Sequence, residues 1–184
     1  MVAEDRIDID IYKVVTRAIA GSDNLEDMAI QLTRLLVGAL GIKGSTIFVL
    51  NPDTKELEAL ASFGLSINYM NKGPILVKKS LDHQLRVEPI VIRDVTTSDR
   101  LQYPEDAKKE GIHAIVSLPI SLHGKLIGVL RLYHYEQWDV SKRDLDSLMV
   151  FSENIGLALM YTRLLQALKS VKETVSEIHP VWLD

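Results

Sequence analysis

Residues 110–135 read EGIHAIVSLPISLHGKLIGVLRLYHY. Two apolar runs, 112–120 and 125–135, meet at Ser121-Leu122-His123-Gly124-Lys125. Runs of this length around a glycine turn predict a strand pair. Both are apolar on both faces, so both are expected at the centre of a sheet covered on each side. Directly after them comes a helical pattern from 141 to 178. At ~1.5 Å per residue such a helix is about 57 Å long, against about 30 Å for a small domain.

That helix carries two patterns. Leu157, Tyr161, Leu164, Leu168, Val171, Val175 and Ile178 are spaced 4, 3, 4, 3, 4, 3, which is a heptad seam. Ala158 and Leu165 widen the stripe up to about Leu168, and beyond it Lys172 and Thr174 narrow it. A wide stripe packs on a domain, and a narrow seam packs on another helix. The simplest supplier of that helix is a second copy of the chain. Ser141 and Asp144 have the spacing of a variant capping box at its start. Pro180 stops it, and the tail Val181-Trp182-Leu183-Asp184 is apolar enough to dock on a dimer or a partner.

Working back toward the N-terminus, Ile7, Ile11, Val14 and Ala18 form a helical stripe, although the alternation over 7–11 also fits a strand. Asn24 stands where an N-cap belongs, ahead of a second amphipathic helix that Gly41 ends. Residues 45–50 and 56–63 read as a hairpin around Asn51-Pro52-Asp53, with Leu57, Ala59, Ala61 and Phe63 on one face. Residues 64–88 read as loop with a short helix near 80–86, N-capped by Ser80. Residues 89–95 read as a short strand, and Pro104 opens a short helix to Glu110.

Composition bounds the chemistry. The 184 residues are 47% hydrophobic and 25% charged, which supports one domain with a sizeable core. There is no cysteine, which excludes disulfides, thiolate metal sites and a thiol nucleophile. The net charge of −4 offers no basic face to a nucleic acid. No apolar run is long enough to span a bilayer, and the acidic start lacks a secretory layout. A cytoplasmic location is therefore expected. The five histidines show no H-x-x-x-H pair, and no phosphate loop, nucleophile elbow or kinase signature is present. No catalytic residues are expected, and the chain is read as a non-enzyme.

The order of elements resembles the GAF domain over residues 25–165. The resemblance rests on Gly41-Ile42-Lys43-Gly44-Ser45, Glu110-Gly111-Ile112, Val116-Ser117-Leu118-Pro119-Ile120 and, above all, Gly124-Lys125-Leu126-Ile127-Gly128-Val129-Leu130. It implies an α+β fold with a twisted antiparallel sheet of five to six strands. The terminal helices would cover one face. The insert, with its short helices and loops, would cover the other and enclose a pocket. The insert is similar to that of bacterial GAF sensors without an assigned ligand. Organisation follows as an N-terminal dimerisation helix (1–22), a GAF domain (23–165), and a C-terminal helix extension with tail (166–184). The resemblance implies a homodimeric sensor in signal transduction, with a small-molecule ligand and a signalling protein partner. A catalytic or DNA-binding output module usually follows such a domain, and none is read before Asp184. Family activities that use a GAF cysteine, such as sulfoxide reduction and bilin attachment, are excluded. A haem would draw its axial ligand from His83 or His113. No cofactor is assigned.

Arg131 is the residue singled out for chemistry. Strand alternation places it with Ile127, Val129 and Tyr133 on the insert side, and places Gly128 on the other, where it would admit a helix. A buried guanidinium needs an anionic or carbonyl partner. It is therefore expected either to pair with Asp94 or Asp99, or to anchor a ligand carboxylate or phosphate. His113, Tyr133, Tyr103, Asp94 and Tyr69 are the other expected ligand-site residues. Ile11, Leu157, Tyr161, Leu164, Leu168, Val171 and Val175 are the expected dimer residues.

Overall fold

The computed structural model describes residue 5 and residues 7–22, 24–76 and 88–178. The expected helix near 80–86, with Ser80 and His83, lies outside these residues, as does the 181–184 tail. In chain order the elements are α1 (Ile9–Ala20), α2 (Leu25–Leu40), β1 (Gly44–Leu50), β2 (Glu56–Phe63), α3 (Ile67–Met70), β3 (Ile75–Leu76), β4 (Ile90–Ile92), α4 (Pro104–Glu110), β5 (Ala114–Leu122), β6 (Lys125–His134) and α5 (Lys142–Ile178). The strands form one six-stranded sheet in the order β3-β2-β1-β6-β5-β4, with every neighbouring pair antiparallel.

Local chemistry sets the element ends. Asp8 caps α1 through its carboxylate, which settles the 7–11 ambiguity in favour of helix. Asn24 Oδ1 accepts from Glu26 N and Asp27 N, and Gly41 closes α2 in the left-handed region at φ 61°. The β5–β6 turn is the two-residue loop His123-Gly124, both with positive φ, the arrangement that matches strand twist in a tight hairpin. Ser141 Oγ accepts from Asp144 N at the start of α5, while the Asp144 carboxylate accepts from buried Ile7 N at 3.0 Å.

One face of the sheet packs on α1, α2 and α5. Ile47, Val116, Leu118, Ile120, Leu130 and Leu132 meet Leu32, Leu36, Phe151 and Ile155 in one core. The insert face carries two smaller clusters. Tyr69, Ile92, Ala107, Ile112, Ile115 and Tyr133 form one, and Phe48, Leu57, Ile75 and Val129 form the other.

Two bulges overturn the simple alternation. Ile120 pairs with Gly128 but Ser121 pairs with Leu126, so Ile127 is an extra residue. It turns to the helix face and joins the main core, not the face of Arg131. Likewise Ile47 pairs with Ala61 and Phe48 with Ala59, leaving Leu60 extra. Leu57 therefore belongs to the insert face and Ala61 to the helix face. A bulge inserts one residue without disturbing the apolar character around it, so alternation alone does not reveal it. Gly128 also has a different role from the one expected. A Cβ there would lie 2.3 Å from Phe48 O on β1, so its glycine serves strand–strand approach. The helix approaches through its own glycine: a Cβ on Gly156 would sit 3.2 Å from Ile120 Cγ2 and 3.2 Å from Ser121 O.

Candidate ligand site on the insert face

Between the two apolar clusters of the insert face runs a row of polar side chains. Ser117 (β5), Arg131 (β6), Thr46 (β1) and Ser62 (β2) are successive cross-strand partners. Arg131 Nε donates to Ser117 Oγ at 3.0 Å, and the Thr46 and Ser62 hydroxyls lie 2.9 Å apart. Ser117, Arg131 and Thr46 are buried, with Arg131 only 8% exposed. The guanidinium also lies over the Phe48 ring, 5.6 Å from its centroid.

Among the described residues, no carboxylate pairs with Arg131. Asp94 is engaged elsewhere: its carboxylate accepts from Thr96 N, Thr96 Oγ1 and Gln137 Nε2. These bonds, Thr96 first, hold Asp94 below the usual carboxylate range. Asp99 is exposed. A buried guanidinium bonded by Nε to one neutral hydroxyl keeps its two Nη groups for an acceptor.

Tyr133, two residues along the strand, is fully buried and its Oη has no hydrogen-bond partner. Burial pushes its phenol pKa up, against the opposing effect of nearby Arg131 and Thr46. Oη therefore lies close to the polar row without a bond of good geometry to it. Tyr69 meets Tyr133 edge to face, with centroids 5.8 Å apart. Lys72 covers Tyr69: its Nζ stands 3.7 Å from the ring centroid and donates to Tyr69 O at 2.9 Å. Tyr103 pins the same segment, its Oη donating to Pro74 O at 2.9 Å.

The structure thus brings Arg131, Tyr133 and Tyr69 together and sets Tyr103 beside them. His113 is not with them. It precedes β5, its side chain is exposed, and its charge acts on Asp94. Its backbone, not its imidazole, is engaged, donating to His134 O and accepting from Val95 N. Lys72, Thr46, Ser62 and Ser117 were not among the expected site residues. A lysine in a polar loop has no local mark, and the hydroxyls meet only through strand register. Among the described residues, no group of three or more His, Cys, Asp or Glu side chains is placed to hold a metal ion.

Burial first, then Arg131, lowers the Lys72 pKa from 10.5 to about 8. The unfolded chain therefore binds more protons than the folded one between these values, and stability from this group rises with pH across that window. Tyr69 and Tyr133 oppose it above their ordinary 10.0, because burial raises both phenols. The thermal midpoint is expected to climb from about pH 8 and turn over above about pH 10. In Lys72→Met the climb should vanish. A wild-type midpoint that falls steadily across the same interval would contradict the assignment.

On the opposite side of the molecule, α5 runs past the domain. Phe151, Ile155, Leu159 and Thr162 are buried, whereas Leu157, Tyr161, Leu164, Leu168, Val171 and Val175 are 57–61% exposed. Ile11 is half-buried against the main core, and its neighbours Ile9 and Val14 are exposed instead. No helix among the described residues is long and apolar enough to cross a membrane.

An antiparallel sheet with the long helices on one face and a short-helix insert on the other makes an α+β domain. The family model for the GAF domain matches residues 24–159, and the chain belongs to that family. Solved structures agree on the fold. The GAF domain from a phosphoenolpyruvate-protein phosphotransferase (ptsP) of Coxiella burnetii superposes with a TM-score of 0.75 at 20% identity, over 86% of this chain and 96% of that one. The GAF domain of the Acinetobacter phosphoenolpyruvate-protein phosphotransferase gives 0.72 at 17% identity, over 85% and 94%. The free methionine-R-sulfoxide reductase from Neisseria meningitidis, solved with its substrate, gives 0.70 at 11% identity, over 89% and 98%. No curated protein matches the chain.

Proposed function

We propose that this GAF domain is a dimeric, non-catalytic regulatory module that binds a small anionic ligand between sheet and insert and passes the binding event to a signalling partner. The observation that carries the reading is the Ser117–Arg131–Thr46–Ser62 row. It holds a buried guanidinium with no carboxylate partner among the described residues, beside a buried phenol without a partner. A site of that kind is satisfied by an oxyanion, and burial makes each bond to it stronger than at the surface. Tyr69 and Tyr103 would roof it. The exposed seam of α5 would pair two chains.

A second reading has its own support. Tyr69, Ile92, Ile112, Ile115 and Tyr133 pack closely under one end of the insert, which suits an adaptor acting through its terminal helices without a ligand.

Native mass spectrometry of the purified protein, repeated under denaturing conditions, separates the two. The expected result is a dimer carrying a releasable mass that Arg131→Met loses while circular dichroism shows the variant folded. A ligand-free dimer would favour the adaptor. A monomer would remove the basis of both.

A further inference from the structure

The insert face holds a second, partly buried cation that forms no ion pair among the described residues. Lys72 Nζ makes its hydrogen bond to a neutral backbone oxygen, Tyr69 O, and otherwise faces the rings of Tyr69 and Tyr103. The charged groups that face it come from two elements. Arg131 on β6 repels it, and Asp106 and Glu110 on α4 attract it. Neither carboxylate forms an ion pair with it. Glu110 is taken up by Ser66 N, Ser66 Oγ and, at 3.8 Å, Lys43 Nζ. The loss of hydration and, after it, the repulsion by Arg131 outweigh both carboxylates, which is why the lysine is held at about 8.

The two cations belong to one place. Lys72 stacks on Tyr69, Tyr69 meets Tyr133 edge to face, and Tyr133 lies two residues from Arg131 on the same strand face. Tyr133 Oη, close to Arg131, is buried without a hydrogen-bond partner. A monoanion would neutralise one cation and leave the other partly desolvated without an ion-pair partner. An anion of two charges would neutralise both.

We propose that Arg131 and Lys72 form a two-cation clamp for a dianionic ligand, a phosphate monoester or a dicarboxylate, with Tyr133 Oη donating a further hydrogen bond. The clamp rests on the anion-binding reading above and assigns its ligand class. Arg131 presents its Nη edge from the rigid sheet. Lys72 presents its ammonium from the insert segment that Tyr103 ties to Pro74.

Calorimetric titration of the full chain with succinate, inorganic phosphate and acetate tests this, on wild type, Lys72→Met and Arg131→Met, each checked for folding. Wild type is expected to prefer the dianions over acetate by about tenfold or more. Lys72→Met should lose about tenfold on the dianions and show no preference over acetate. Succinate keeps its charge in the alkaline range, so its wild-type affinity should fall as pH rises through about 8, while that of Lys72→Met stays level. Acetate binding that needs Arg131 but shows no dianion preference would overturn the clamp and leave the anion site standing. A Lys72→Met variant with wild-type dianion affinity would do the same. Wild type that binds none of the three would overturn both.

Discussion

Gly128→Ala is expected to cost the domain about 3 kcal/mol, a large share of the stability of a typical domain. The added methyl would stand 2.3 Å from Phe48 O, a backbone atom of β1. Backbone cannot swing aside as a side chain can. Relief requires β1 and β6 to separate where Phe48 and Val129 are partners, in the middle of the sheet. Both residues are buried in the same insert-face cluster, so separation would also disturb its packing. Gly38 is the control. It lies on an exposed position of α2, where a methyl group would meet nothing within 4 Å. Gly38→Ala should stabilise by about 0.5–1 kcal/mol through helix propensity. Urea denaturation of both variants decides the matter: a loss below about 1 kcal/mol at Gly128 would show that the strands part easily.

If two chains pair as proposed, the double variant Leu164→Lys, Leu168→Lys is expected to convert that dimer to monomer without unfolding the domain. Both leucines are 57% exposed and lie beyond Thr162, the last buried position of α5 among the described residues. In the proposed dimer they would gain burial against the second chain. Complete burial of a leucine is worth about 1.5–3 kcal/mol, and a symmetric pair holds four of them. With partial burial at a two-helix seam, about 4–6 kcal/mol of association would be lost, or three to four decades in Kd. The introduced lysines add like-charge repulsion across the seam. Sedimentation equilibrium reads the association, and circular dichroism reads the fold. A dimer that survives both substitutions would place the interface elsewhere, with Ile9 and Val14 of α1 as the next exposed apolar residues to test.

The elements of this fold were legible in sequence wherever a local device ends them. Asn24, Gly41, Pro104 and His123-Gly124 mark boundaries by hydrogen bonding or backbone conformation within a few residues. The apolar seam of α5 was legible for the same reason, because helical spacing is a local property. Facing was less secure. The bulges at Leu60 and Ile127 each reverse which side the residues before them occupy, and Val, Leu and Ile suit either side. The burial of Arg131 on the insert face was legible, since a guanidinium interrupting an apolar strand must be accounted for. The placement of Lys72 was not, because only the tertiary stacking of Tyr69 and Tyr103 makes that lysine different from other loop lysines. His113 was expected at the site as part of the strand beside that of Arg131, but β5 begins one residue after it and its side chain is exposed.

Gly156 is where α5 comes tightly against the sheet, at Ile120 and Ser121 of β5. The same strand carries Ser117, the hydroxyl that holds Arg131. Mechanically, the stretch of α5 beyond Thr162, the last buried position among the described residues, would act as a lever arm on that contact. The 16 residues from there to Ile178 span about 24 Å. A tilt of about 5° at its base would carry the far end through about 2 Å. A displacement of β5 too small to disturb the core would thus be magnified at the tip of the arm.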